Sequence, residues 1–165
     1  MIFTFNAVVY FYGQQYFNTF GCTKFQISII LFLSSICACL GAISAEKIVK
    51  IFKGATKYIV ACIVGVSIII FSSGNLLTSI IFFAIINFMD ALLYPIQSAS
   101  LNAIIPSNQR ATIISIDSMI FSTAMICLFP ICGFIGDVYN LRVTFLIIGL
   151  LQLAFLSVLY LFSRD

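Results

Sequence analysis

The chain has no histidine and no tryptophan, and its 165 residues include only 8 basic and 5 acidic ones. Each scarcity removes a class of protein. A soluble domain carries about 25% charged residues. With 8% charged and 62% hydrophobic residues, this chain cannot cover a water-facing surface. Without histidine it lacks the commonest general base, and it cannot build a Cys/His zinc site. It also contains no Gly-x-Ser-x-Gly and no His-Glu-x-x-His element, and its intramembrane carboxylates, Asp90 and Asp117, are far apart in sequence. These absences argue against an enzyme. The lack of tryptophan, set against 18 Phe, predicts a lipid-facing surface of aliphatic side chains and phenylalanine.

The 6 cysteines are Cys22, Cys37, Cys39, Cys62, Cys127 and Cys132. All but Cys22 lie in apolar stretches, where a free cysteine behaves as a small hydrophobe. On a helix, Cys37 and Cys39 point about 200° apart. The reading therefore expects no disulfide, no metal and no cofactor. Nor does the net charge of +3 indicate a nucleic-acid partner, because Lys47, Lys50, Lys53 and Lys57 crowd one short segment.

What the chain does have is long uncharged sequence: Met1 to Thr23, Phe25 to Ala45, Tyr58 to Met89, Ala91 to Gln109, Ser118 to Gly136 and Val143 to Ser163. A transmembrane helix needs about 20 mostly apolar residues to cross a ~30 Å hydrocarbon core. Barrel strands alternate in polarity over only ~10 residues. The expected fold is therefore an all-α membrane protein, one domain over residues 1–165, with spans near 2–20, 25–45, 58–73, 76–101, 111–136 and 141–162. Met1-Ile2-Phe3-Thr4 has no basic n-region, so no cleavable signal is expected.

Basic residues orient such a chain, since cytoplasmic loops are enriched in them. With both termini cytoplasmic, Lys47, Lys50, Lys53, Lys57, Arg110 and Arg164 fall inside, and Lys24 and Arg142 outside. This predicts a multi-pass protein of the plasma membrane. The segment from Glu46 to Lys57 reads as a loop, a topology determinant whose lysines at every third position also suit a short basic surface helix.

Polar groups in hydrocarbon usually face a bundle interior or a cavity. In the fourth span, Asn87, Asp90, Tyr94 and Gln97 share one helical face. Pro95 beside them removes a helix hydrogen bond or kinks the helix. In the first span, Asn6, Tyr10, Gln14 and Phe17 form a similar stripe, with Gly13 alongside. Asp90 is the sharpest feature. Desolvation disfavours a charged carboxyl, so Asp90 is read either as a cation- or proton-binding group or as a carboxyl hydrogen-bonded to a neighbouring helix. Asp117, among Ser115, Ser118 and Ser122, either joins the cavity or pairs near the surface with Arg110. Arg110 itself reads equally as an ion-pair gate and as a surface anchor. Asp137, at the outer end of the fifth span, reads as a turn-forming residue, the alternative being a pair with nearby Arg142 in water. The small residues Gly41, Ala42, Ser44, Ala45, Gly65, Gly133 and Gly136 read as helix packing sites.

Tyr94 to Ser115, with Asn102, Pro106 and Arg110-Ala111-Thr112, is similar to the junction of the tenth and eleventh helices in the major facilitator superfamily of transporters. Gly133-Phe134-Ile135-Gly136-Asp137 resembles its element before the last helix, and Tyr12-Gly13-Gln14-Gln15-Tyr16-Phe17 its seventh helix. After Gly41-Ala42-Ile43-Ser44 the family's loop motif would continue with Asp, Arg and Gly, whereas this chain has Ala45, Glu46, Lys47 and Ile48. The resemblance implies the C-terminal six-helix half, built as two three-helix repeats whose first helices line the cavity. It further implies a secondary transporter, proton-coupled and similar to drug-efflux members. Asp90, Asn87, Tyr94, Gln97, Asn6, Tyr10 and Gln14 would bind a small amphipathic or cationic solute or the proton, and Arg110 and Asp117 would gate. The implied partners are the lipid bilayer, the solute, and an N-terminal half or a second copy. The alternative reading is a six-helix assembly, immunity or regulatory factor in which the stripes only hold helices together.

Overall fold

The computed structural model describes residues 2–52, 56–106 and 109–162. These residues form helices α1 (Ile2–Thr19), α2 (Lys24–Phe52), α3 (Thr56–Phe71), α4 (Leu76–Ile104), α5 (Arg110–Val138) and α6 (Leu141–Phe162), with no strand among them. The chain is thus an all-helical, multi-pass membrane protein. Helices α2, α4, α5 and α6 are long and apolar enough to cross a bilayer. Helix α3 is shorter, and its 16 residues reach about 24 Å at ~1.5 Å per residue.

Short polar turns set the helix ends. Thr23 and Gln26 form a reciprocal cap at the start of α2. The Gln26 amide donates to Thr23 Oγ1 at 3.3 Å, and the Thr23 amide to Gln26 Oε1 at 2.8 Å. Asn75 Oδ1 accepts from the Leu77 amide and opens α4. Asn140 Oδ1 accepts from the Val143 amide and opens α6. Between α3 and α4, Gly74 takes a φ of 83°, a left-handed conformation that costs glycine nothing.

One reading of the polar ends is corrected. The segment after Ala45 is not all loop: α2 continues through Glu46, Lys47 and Lys50 to Phe52. Those residues are good helix formers, with neither Gly nor Pro to stop them. Lys47 and Lys50 are exposed on the last turns of α2 and Lys57 on the first turn of α3, while Lys53 lies outside the described residues. The alternative of an Asp137–Arg142 pair is not the one the structure takes up. Arg142 Nε donates to the Ser72 carbonyl at 3.2 Å and its Nη2 to the Ser73 carbonyl at 2.5 Å. These carbonyls follow the end of α3, where backbone acceptors lack helix partners and favour a cation.

Helix α4 is the spine of the bundle, packed along α2 and α3 and also meeting α1, while α3 in turn packs on α6. Tyr16, Phe17, Phe71, Phe83 and Phe145 form a buried aromatic knot joining four helices. Ring centroids lie 5.1 Å apart for Tyr16–Phe71, 4.9 Å for Phe71–Phe145 and 5.4 Å for Phe17–Phe83, in edge-to-face arrangements. Phe25, Phe32 and Phe134 do face outward as expected, but these core phenylalanines do not. In lipid, helices gain from shape-matched packing rather than from hiding apolar surface, so large rings are as useful inside as out.

Candidate functional site

Asn6 on α1 and Asp90 on α4 meet between the helices, where Asn6 Nδ2 donates to Asp90 Oδ1 at 2.5 Å. Asn6 is buried at 4% exposure, and Asp90 is partly buried beside a cavity of about 530 Å³ walled by α1, α4 and α5. That volume is in the usual range for small-molecule pockets, about 300–1,000 Å³. The stripe periodicity puts Asn87, Asp90, Tyr94 and Gln97 on the α4 wall. Asn87 also donates to the Phe83 carbonyl at 2.8 Å, satisfying its own amide within α4. Helix α4 runs through Pro95 unbroken, leaving the Ala91 carbonyl without its usual i+4 donor.

The α1 wall carries Thr4, Asn6 and Tyr10. Tyr10 stacks on Phe83 with centroids 6.1 Å apart, and Tyr94 meets Phe3 edge-on at 6.1 Å. From α5 come Asp117, Ser118, Phe121 and Ser122. Ser118 bonds back to the Ile114 carbonyl at 3.0 Å and so needs no partner on another helix. The lining holds two carboxylates, Asp90 and Asp117, and neither lysine nor arginine among the described residues.

Of the residues singled out in the sequence, the structure brings Asn6, Tyr10, Asn87, Asp90, Tyr94, Gln97 and Asp117 to this one cavity. It leaves out Gln14, which is half-buried further along α1, and Arg110, which is exposed at the start of α5. The α1 stripe leaves the cavity because Phe17 turns into the aromatic knot. A Cβ on Gly13 would stand 3.0 Å from the Phe83 ring, so the glycine lets Phe83 lie against α1.

Three contributions escaped the sequence reading. Thr4 lines the cavity and is buried, yet it stands two residues from Asn6 and so falls off that stripe. The direct Asn6–Asp90 bond depends on how α1 and α4 dock, which periodicity does not encode. Tyr12 fastens α1 to α5 by donating to the Phe129 carbonyl at 2.9 Å, its hydroxyl lying over Gly133. There the only sequence signal was the small residue.

A family model described as the Major Facilitator Superfamily matches residues 1–165. No curated protein and no solved structure matches the chain.

Proposed function

The chain belongs to the Major Facilitator Superfamily, and from that premise we propose that it is the C-terminal six-helix half of a proton-coupled secondary transporter moving a small amphipathic or cationic solute, by efflux. The family consists of transporters and not enzymes, so membership itself makes the chain a membrane transport protein in contact with bilayer and substrate. The finer reading is supported by one observation above all: a single carboxyl, Asp90, held by a buried amide from another helix in the wall of a cavity. Such a group binds a proton or a cation in alternation, and the bond to Asn6 ties that exchange to the fit between α1 and α4.

In this proposal α1 and α4 begin the two three-helix repeats. Asn87, Tyr94, Gln97, Asn6 and Tyr10 surround the solute beside Asp90, while Gln14 lines its path. Asp117 and Arg110, both on α5, act as gate residues. The cavity is completed by an N-terminal six-helix half or a second copy of the chain. The protein lies in the plasma membrane with both termini cytoplasmic, which puts most of the basic residues inside.

The test is uptake of a fluorescent lipophilic amine into proteoliposomes under an imposed pH gradient. Asp90→Asn is nearly isosteric and removes the proton site, so gradient-driven accumulation is expected to fall to the level of empty liposomes while the protein stays monodisperse. Asp90→Glu is expected to retain part of the activity. Native accumulation by Asp90→Asn overturns the assignment.

A further inference from the structure

We propose that the outward face of α2 is a docking surface for an anionic phospholipid, whose acyl chains lie along an apolar stripe and whose phosphate is held by Lys47 and Lys50. Helix α2 contributes no described residue to the cavity, so this surface is independent of the transport reading. Phe25, Ile29, Phe32, Ile36, Leu40 and Ile43 are exposed and recur every three or four residues, which sets them in one stripe along α2. Lys47 and Lys50 continue the same spacing and are exposed as well. The stripe from Phe25 to Ile43 rises about 27 Å at ~1.5 Å per residue, close to the ~30 Å of a hydrocarbon core. Lys47 and Lys50 then stand about 6 and 10 Å beyond Ile43 on that face, at the level of the headgroups.

Two observations decide between a lipid and another helix as the occupant. Helices that pack in a membrane use small residues at the contact, which let backbones approach. On α2 these are turned inward: Ser34, Gly41 and Ala45 are buried, and a Cβ on Gly41 would collide with the Phe88 carbonyl of α4. The outward stripe is built of Phe, Ile and Leu, which acyl chains accommodate as they are. The second observation is charge. A second copy packed through α2 about a twofold axis along the membrane normal would set Lys47 and Lys50 against themselves, and like charges repel. A phosphate neutralises them instead. Three residues apart, they are neighbours on the helix surface, about 5–6 Å between Cβ atoms, and both reach one phosphate. Glu46, exposed beside them, stands four residues before Lys50, but no carboxylate lies three or four residues from Lys47. Lys57 adds an exposed cation at the start of α3, four residues of chain after Phe52 and so within about 14 Å of the end of α2. The surface carries an excess of positive charge, to which a zwitterionic headgroup brings a cation of its own.

The 165 residues contain no tryptophan. Ile43→Trp therefore reports on this face alone, once any tryptophan elsewhere in the native polypeptide is replaced by phenylalanine. The purified full-length native protein carrying this reporter is reconstituted in phosphatidylcholine vesicles, and its fluorescence is quenched with brominated phosphatidylglycerol or brominated phosphatidylcholine in turn. Phosphatidylglycerol is expected to bind about tenfold or more tighter than phosphatidylcholine. Lys47→Gln and Lys50→Gln are each expected to lower that preference about fivefold, the contribution of one lysine near an anionic surface. The two together bring it close to unity, and the single variants carry the test should the double variant fail to insert. Lys47→Arg with Lys50→Arg keeps the charge and is expected to keep the preference. Equal binding of the two lipids overturns the proposal, as does a preference that survives both glutamines or is lost with both arginines. Absence of quenching by either lipid overturns it too and marks the face as covered by protein.

Discussion

Gln152 is wholly buried in α6, at 0% exposure, with its Nε2 donating to the Ala61 carbonyl of α3 at 3.3 Å and its Oε1 without a partner. Side-chain bonds between membrane helices are worth only about 0.6 kcal/mol on average. An orphaned buried acceptor costs about 1–3 kcal/mol. The second magnitude wins, so Gln152→Met, close in volume and free of polar groups, is expected to leave the thermal midpoint unchanged or to raise it by a few degrees. A clear fall would show that Oε1 has a partner, such as an ordered water. Gln152 and Asp90 also mark what sequence can reveal at this scale. Asp90 stood out because a carboxyl in hydrocarbon is costly and because Asn87, Tyr94 and Gln97 repeat on its face. Gln152 is a lone amide in an apolar run, and no periodicity flags it. The partner of each residue, Asn6 in one case and Ala61 in the other, is set by a helix distant in sequence.

Between elements, the decisive contacts are close approaches of backbone. A Cβ on Gly41 of α2 would collide with the Phe88 carbonyl oxygen of α4. A Cβ on Gly149 of α6 would come within 3.1 Å of the Gly65 carbonyl of α3. A carbonyl fixed in a helix has no rotamer by which to retreat, so a side chain at Gly41 must push α2 away from α4. Gly41→Val is expected to cost about 1–3 kcal/mol, the usual range for overpacking, and to lower the thermal midpoint in detergent. Gly41→Ala should lie between the valine variant and the native chain, and a native midpoint for Gly41→Val would show that α2 and α4 are not held at this distance. The cluster of small residues at Gly41 was legible, because close helix packing demands small side chains. Its target, Phe88, was not. Side-chain caps fix the helix starts at Thr23, Asn75 and Asn140. Helix limits were misjudged where charge alone served as the stop signal: Glu46 and Lys47 end the apolar run but not α2.

At the scale of the whole molecule the bundle is lopsided. Cys132 is the one buried residue described on α5, while α3 and α4 are packed on several sides. The spacing of charged residues made six helices readable, because each apolar run had to reach across a membrane. Which side of the bundle is open could not be read, because the apolar faces of α2 and α5 look alike until α4 is seen to cover one and not the other. The exposed faces differ in chemistry all the same. On α2 the outward residues include Phe25, Phe32, Ile36 and Ile43, which suit lipid. On α5 the side bordering the cavity carries Asp117, Ser118 and Ser122, and a carboxyl facing acyl chains is costly. This side is therefore expected to be covered by protein in the native membrane. Phe121, 39% exposed in the cavity wall, and Phe32, 66% exposed on α2, each have open space for the larger photoreactive p-benzoylphenylalanine. On irradiation of intact membranes, Phe121→p-benzoylphenylalanine should give a polypeptide adduct and Phe32→p-benzoylphenylalanine a lipid adduct. A C-terminal tag distinguishes the coverings. A cross-link that runs at twice the chain mass marks a second copy, one within a longer native chain marks its own N-terminal half, and one to a different polypeptide marks a separately encoded half. Lipid adducts at both positions would show that the cavity opens directly to the bilayer, and a two-bundle transporter would then be excluded.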